Sequence, residues 1–170
     1  TSNHQRFGSR ERLLNVAARC PEKLHIELDA LASRIIFDAD HRAVGVEYLK
    51  GKSLYRVHDQ ASENSGQQRQ VKATREVILC GGAFNTPQLL MLSGIGPKSE
   101  LARHGIEARV DLPGVGANLQ DRYEVSVVNR MRDDWECMAG AEFARGDRQF
   151  VEWQKYRKGI YATNGGLLTV

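Results

Sequence analysis

Cysteine is scarce in this sequence: Cys20, Cys80 and Cys137 are the only three in 170 residues, with no Cys-x-x-Cys pair and no histidine spaced to join them on zinc. An odd count without a short pairing pattern argues against a secreted disulfide scaffold and for a reducing compartment, so a cytoplasmic location and no metal site are expected. Excess charge of either sign is also lacking. Twenty-four Lys and Arg against 21 Asp and Glu leave +3, with both signs interleaved. That pattern supplies neither the basic stripe that nucleic acid requires nor a polybasic tail for anionic lipid. The one long uncharged run, Val77 to Pro97, has 21 residues but is broken by Gly81, Gly82, Pro87, Gly94, Gly96 and Pro97. Such breakers would strand backbone groups in lipid, so no transmembrane segment is expected. The opening residues, Thr1 to Arg6, have no initiator Met and no apolar stretch of the kind a signal peptide needs. A chain cut from something longer is expected.

The composition that remains, 41% hydrophobic and 26% charged, suits a folded protein of one domain or one and a fraction. Ser9 is placed to cap a helix over 10–20, with Leu13, Leu14, Val16, Ala17 and Cys20 as its stripe and Pro21 as its stop. Short strand-like runs follow at Leu24–Leu28, Ala32–Phe37 and Ala43–Leu49. The last two flank a polar turn, Asp38 to Arg42, and predict a small antiparallel meander. Leu54–His58 is a further candidate strand, Asp59–Gln70 reads as a polar loop, and Gln70–Thr74 alternates like a half-exposed strand.

Val77-Ile78-Leu79-Cys80 is continuously apolar, as in a strand covered on both faces. Gly81-Gly82 permits a sharp turn, after which Thr86 as cap and Pro87 in the first position predict a helix to Leu92. Pro97 opens a second short helix, 98–104, closed by Gly105. Tyr123–Met131 is expected to be extended and Glu142–Tyr156 helical, while Thr163 to Gly166 is a turn signal.

Two glycine patterns imitate nucleotide motifs. Gly94-Ile95-Gly96-Pro97-Lys98-Ser99 lacks the spacing of a phosphate loop, and Pro97 removes an amide donor. Gly114-Val115-Gly116-Ala117-Asn118-Leu119 has Leu119 where a dinucleotide fingerprint needs glycine, and no apolar strand precedes it. The Gly81-Gly82-Ala83 turn is different, because an apolar strand feeding a glycine turn and a helix brings backbone amides to a sheet edge of the kind where nucleotides dock. On spacing alone, that docking role and a purely architectural turn weigh equally. His41, His58 and His104 fall in loops or at a helix end without a Ser or Cys partner, so no catalytic residue is assigned.

The run from Glu76 to Pro97, EVILCGGAFNTPQLLMLSGIGP, followed by Leu112 to Asp121, LPGVGANLQD, resembles the glucose-methanol-choline (GMC) oxidoreductases. Gly82 to Gly96 matches the second signature of that family throughout. Ala43 to Tyr48 and Tyr161 to Gly166 fall in the order the family shows, so the resemblance covers nearly the whole chain. It implies an α/β fold: a partial FAD-binding, Rossmann-like domain with an antiparallel β-meander over residues 1–122, and the start of a substrate domain over 123–170. It further implies oxidation of a small-molecule alcohol by hydride transfer from the carbinol carbon to N5 of FAD. By position, Ala32 resembles the residue whose backbone meets the adenine, and Gly81, Gly82 and Ala83 resemble the strand end beside the cofactor.

Two departures accompany the match. The family's opening Gly-x-Gly-x-x-Gly and its closing His-containing active-site motif have no counterpart here, and Arg122 stands where many members carry His. The resemblance therefore implies the middle of a longer enzyme, inactive alone. The alternatives are an autonomous, non-catalytic binding or assembly module, and a lyase of the same family acting on cyanohydrins.

Overall fold

Four helices and five short strands make up the computed structural model, which describes residues 6–133 and 135–163. The chain divides into two units, Glu27–Tyr123 and a second that joins Thr1–Ile26 to Glu124–Val170.

The Glu27–Tyr123 unit is built on the expected meander. Strand β1, Ala30–Phe37, and strand β2, Ala43–Lys50, pair antiparallel, and β3, Gln67–Lys72, adds to the far side of β2. The β1–β2 turn forms for a local reason. The Asp38 carboxylate accepts the backbone N–H groups of Asp40 and Arg42 at 3.0 and 2.9 Å, replacing bonds the chain reversal removes. Ser33 is skipped in the register between Ala32 and Arg34, a bulge that brings both Ser33 and Arg34 within reach of Glu47 on β2. β3 begins three residues earlier than the alternation at 70–74 predicts, because Gln67 to Gln70 find ladder partners in Lys50 to Glu47 despite their polarity. Gly45 is required where β3 closes in: a Cβ there would stand 2.6 Å from the Val71 carbonyl.

Three other strand expectations fail. Leu24–Leu28, Leu54–His58 and Val77–Cys80 form no ladder among the described residues. A strand exists only through its neighbours, and apolar character alone supplies none. Ile78 is 72% exposed, whereas Val77 and Leu79 are half-buried, so the segment shows one covered face rather than two.

Helix α2 spans Gly82–Leu92 and starts four residues before the expected Thr86 cap, with Pro87 inside its first turns. Pro87 is the sixth residue of α2, past the four N–H groups that a helix start leaves unpaired, so it takes away the bond that an N–H there would give the Ala83 carbonyl. Next come β4, Ile95–Gly96, and helix α3, Lys98–Arg103, and then β5, Val110–Asp111, which pairs in parallel with β4. Gly94, at φ +83°, could not carry a side chain: a Cβ would lie 2.8 Å from the Glu107 carbonyl. Leu101 of α3 and Ile35 of β1 are the buried apolar side chains among the described residues.

In the other unit, helix α1 covers Ser9–Arg19, with Gly8 rather than Ser9 at its cap; the Gly8 N–H donates to the Glu11 carboxylate at 2.8 Å. Tyr123–Met131 makes no ladder, and its valines stand almost fully exposed. Helix α4, Arg148–Tyr156, starts six residues later than the apolar pattern suggests, where Asp147 caps it by accepting the Phe150 N–H at 2.6 Å. A 3-10 turn, Ile160–Ala162, follows. The expected turn at Thr163 to Gly166 lies largely outside the described residues.

Large apolar side chains stand uncovered in the Glu27–Tyr123 unit, Phe84 of α2 and Ile78 among them.

Candidate functional site

Helix α2 is held against β1 at its C-terminal end. The buried Ser93 hydroxyl accepts the Ile35 N–H at 2.9 Å and donates to the Leu89 carbonyl at 2.6 Å. Between helix and sheet lies a cleft of about 410 Å³, bounded by the start of β1, the middle of β2, Tyr55, the segment Val77–Gly81 and α2 from Asn85 to Leu92.

Of the four residues the sequence singles out, two meet in this cleft. Ala32 and Gly81 line it, whereas Gly82 and Ala83 sit exposed on the first turn of α2 and are not part of its wall. The Gly81 N–H is not free for a ligand, contrary to the expectation of open amides at this turn. It donates to the Thr86 hydroxyl at 3.0 Å, which folds the entry to α2 back on itself. A Cβ on Gly81 would lie 3.1 Å from Cβ of Asn85 and from the Thr86 nitrogen, so glycine sets how closely the turn approaches the helix.

The lining of the cleft is apolar along Leu31, Val46, Val77, Leu79, Leu89 and Leu92, with polar atoms contributed by Tyr55, Asn85, Thr86 and Gln88. Among the described residues no Asp, Glu, Lys, Arg or His lines it. Chemically, such a site takes the uncharged, ring-bearing part of a ligand and cannot by itself neutralise a phosphate.

A second cleft, about 660 Å³, is lined from β1, β3 and the segments 92–94 and 106–109, with Arg34, His41, Gln70, Glu107 and Arg109 among its residues. Its two arginines are already engaged. The Arg109 guanidinium lies 5.7 Å from the centre of the Phe37 ring, and Arg34 bridges Glu47 at 3.1 Å. His58 and His104 are likewise occupied locally, by the Gln60 N–H at 3.0 Å and by Glu100 at 3.2 Å.

Glu47 is the residue that pattern reading overlooked. It is buried at the centre of the meander, where its carboxylate accepts from Gln68 at 2.8 Å, Arg34 at 3.1 Å, Ser33 at 3.2 Å and Gln70 at 3.4 Å. The Gln68 hydrogen bond holds its pKa below the ordinary carboxylate value, Arg34 and Gln70 add to this, and desolvation opposes them. The available signal was register: pairing the two predicted strands places Arg34 opposite Glu47. Its role is to set the meander, since every donor it meets belongs to β1 or β3.

Among the described residues no group of acidic, His and Cys side chains is arranged to hold a metal, and no helix is long and apolar enough to cross a membrane. Cys20, Cys80 and Cys137 are free thiols.

Comparison with known proteins adds the following. The sequence model of the GMC oxidoreductase family matches residues 1–124. The chain is 37% identical over 147 residues to an oxygen-dependent choline dehydrogenase of Pectobacterium atrosepticum, covering 86% of this chain and 24% of that protein. It is 46% identical over 104 residues to the mitochondrial choline dehydrogenase of Homo sapiens, covering 61% of this chain and 15% of that one. Among solved structures, an FAD-dependent oxidoreductase from Chaetomium thermophilum is similar with a TM-score of 0.62 and 29% identity, over 90% of this chain and 24% of its own. The chain thus spans about a quarter or less of the length of these relatives.

Proposed function

The chain belongs to the GMC oxidoreductases, and from that premise we propose that it is part of an FAD-dependent enzyme oxidising the CH–OH group of a small-molecule alcohol. The observation that carries the reading is the cleft in which Ala32 and Gly81 meet. Its neutral, largely apolar lining would suit the adenine end of the cofactor rather than the charged pyrophosphate. When bound, FAD supplies the hydride acceptor at N5 of its flavin ring. The residues of this chain contribute binding and orientation: Ala32 offers backbone at the adenine, and Gly81, Gly82 and Ala83 form the turn that passes the cofactor.

In this reading residues 1–122 belong to the cofactor-binding domain and 123–170 open the substrate domain; the extent of the family match, 1–124, supports that division. The three free thiols support a cytoplasmic, reducing location. The chain by itself turns nothing over, because it holds the scaffold for one end of the cofactor and no catalytic base. Purified chain, dialysed against FAD and then supplied with an alcohol panel and a dye acceptor, is expected to retain FAD in a saturable way and to reduce no dye. Absence of saturable FAD binding sinks the cofactor assignment, and flavin-dependent dye reduction by this chain sinks its inactivity.

A further inference from the structure

Two side-chain amides converge on the neutral cleft. Asn85 and Gln88 are three residues apart on α2 and both line the wall that Ala32 and Gly81 share. That spacing puts their Cβ atoms about 5–6 Å apart on one helical face. No hydrogen bond within the described residues engages either amide, whereas Thr86 between them is spent on Gly81. Tyr55, 44% exposed, lines the same cleft, on a turn held by the His58 N–H donating to the Tyr55 carbonyl at 3.0 Å.

We propose that Asn85 and Gln88 read the hydrogen-bonding edge of the adenine ring in this cleft while Tyr55 supplies a face for it to stack on. The inference rests on the FAD reading above and assigns which part of the cofactor these side chains select. A side-chain amide presents a donor and an acceptor side by side, the complement of the N6 amino group and N7 of adenine. The absence of charge in the lining points the same way, since a cation or carboxylate would favour the phosphates or a charged substrate instead. An aromatic ring beside an apolar cleft adds stacking without demanding a particular base.

Isothermal titration of the full 170-residue chain with FAD, ADP and FMN tests this. FAD and ADP are expected to bind with comparable affinity and to compete, and FMN, which lacks adenine, to bind at least tenfold more weakly. Asn85→Leu and Gln88→Leu are each expected to weaken FAD and ADP about fivefold, the effect of one lost hydrogen bond, with no change for FMN. Replacing adenine by hypoxanthine, which exchanges the amino group for a carbonyl, is expected to weaken binding to the unmodified chain and to make little difference to Gln88→Leu. Asn85 and Gln88 are both exposed, so the variants are expected to keep the parent circular dichroism spectrum, and Gln88→Glu, which preserves shape but loses the amide donor, to weaken FAD and ADP as Gln88→Leu does. If FAD binds but ADP does not compete, or the variants with parent spectra bind FAD as tightly as the parent, the inference is overturned while the cofactor assignment stands. If the folded parent chain binds neither FAD nor ADP, both fall together.

Discussion

The hydroxyl of Ser93 accepts the backbone N–H of Ile35 at 2.9 Å across 58 positions of sequence, and both residues are buried. This single bond closes one end of the helix-to-sheet contact. The cleft that holds Ala32 and Gly81 runs beside it along α2, from Asn85 to Leu92.

Ser93→Ala is expected to destabilise the chain by about 1–3 kcal/mol, because it leaves the Ile35 N–H buried without an acceptor. Ser93→Thr keeps the hydroxyl and is expected to recover part of that loss. The urea midpoint at unchanged slope measures both.

Glu47 links the stability of the meander to pH. Its pKa is lower in the folded chain than in the unfolded one, chiefly through Gln68, so its contribution is fully present above the unfolded value and disappears as pH falls through the folded one. Urea midpoints collected downward from pH 7 are expected to fall in the acid range for the parent chain and to fall less for Glu47→Gln. Gln68→Leu is expected to raise the Glu47 carboxyl pKa in a carbon-detected titration. An unchanged value would remove Gln68 as the main cause.

Asp147 joins three segments of the other unit. One carboxylate oxygen caps α4 at the Phe150 N–H, and the other accepts the Tyr161 hydroxyl at 2.5 Å and the Glu142 N–H at 3.2 Å. The Tyr161 bond holds the Asp147 pKa down, and Asp147 in turn raises that of the phenol. Tyr161→Phe is expected to move Asp147 back towards the ordinary carboxylate value and to speed amide exchange at Glu142. Asp147→Ala is expected to speed it at Phe150 as well. Because the folded pKa is depressed, α4 is expected to fray as pH falls through it, not as pH rises.

Gly94→Ala is expected to cost more than about 1 kcal/mol, since it combines a left-handed backbone with a clash against the Glu107 carbonyl. Gly105→Ala, also left-handed at φ +67° but with open space around it, is expected to cost less. Thermal midpoints of the two variants separate strain from crowding.

The meander and α3 were legible because their signals are local: alternation in Ala32–Phe37 and Ala43–Leu49, an Asp-led turn between them, and Gly105 beyond a helical run. Helix α4 was legible in its end but not its start, since Phe143 mimics a helical position while the Asp147 cap sits four residues later. The start of α2 was misplaced because Thr86 and Pro87 make a persuasive cap. The structure uses the Thr86 hydroxyl instead to bind the amide of Gly81. Gln67 to Gln70 looked like loop because their partner is a buried carboxylate and a ladder, neither of which hydropathy can register.

The order of motifs from Glu76 to Asp121 was enough to determine the family, because it resides in residue identity along the chain. The absence of a charge excess, of paired cysteines and of an uninterrupted apolar span was equally a property of the sequence. Tertiary structure alone decided that Ala32 and Gly81 share a wall with Asn85 and Gln88 while Gly82 and Ala83 do not, and that Val77–Cys80 has no ladder partner among the described residues. These are relations between segments distant in sequence, created by how α2 packs on β1, and no local propensity encodes the distance between two surfaces.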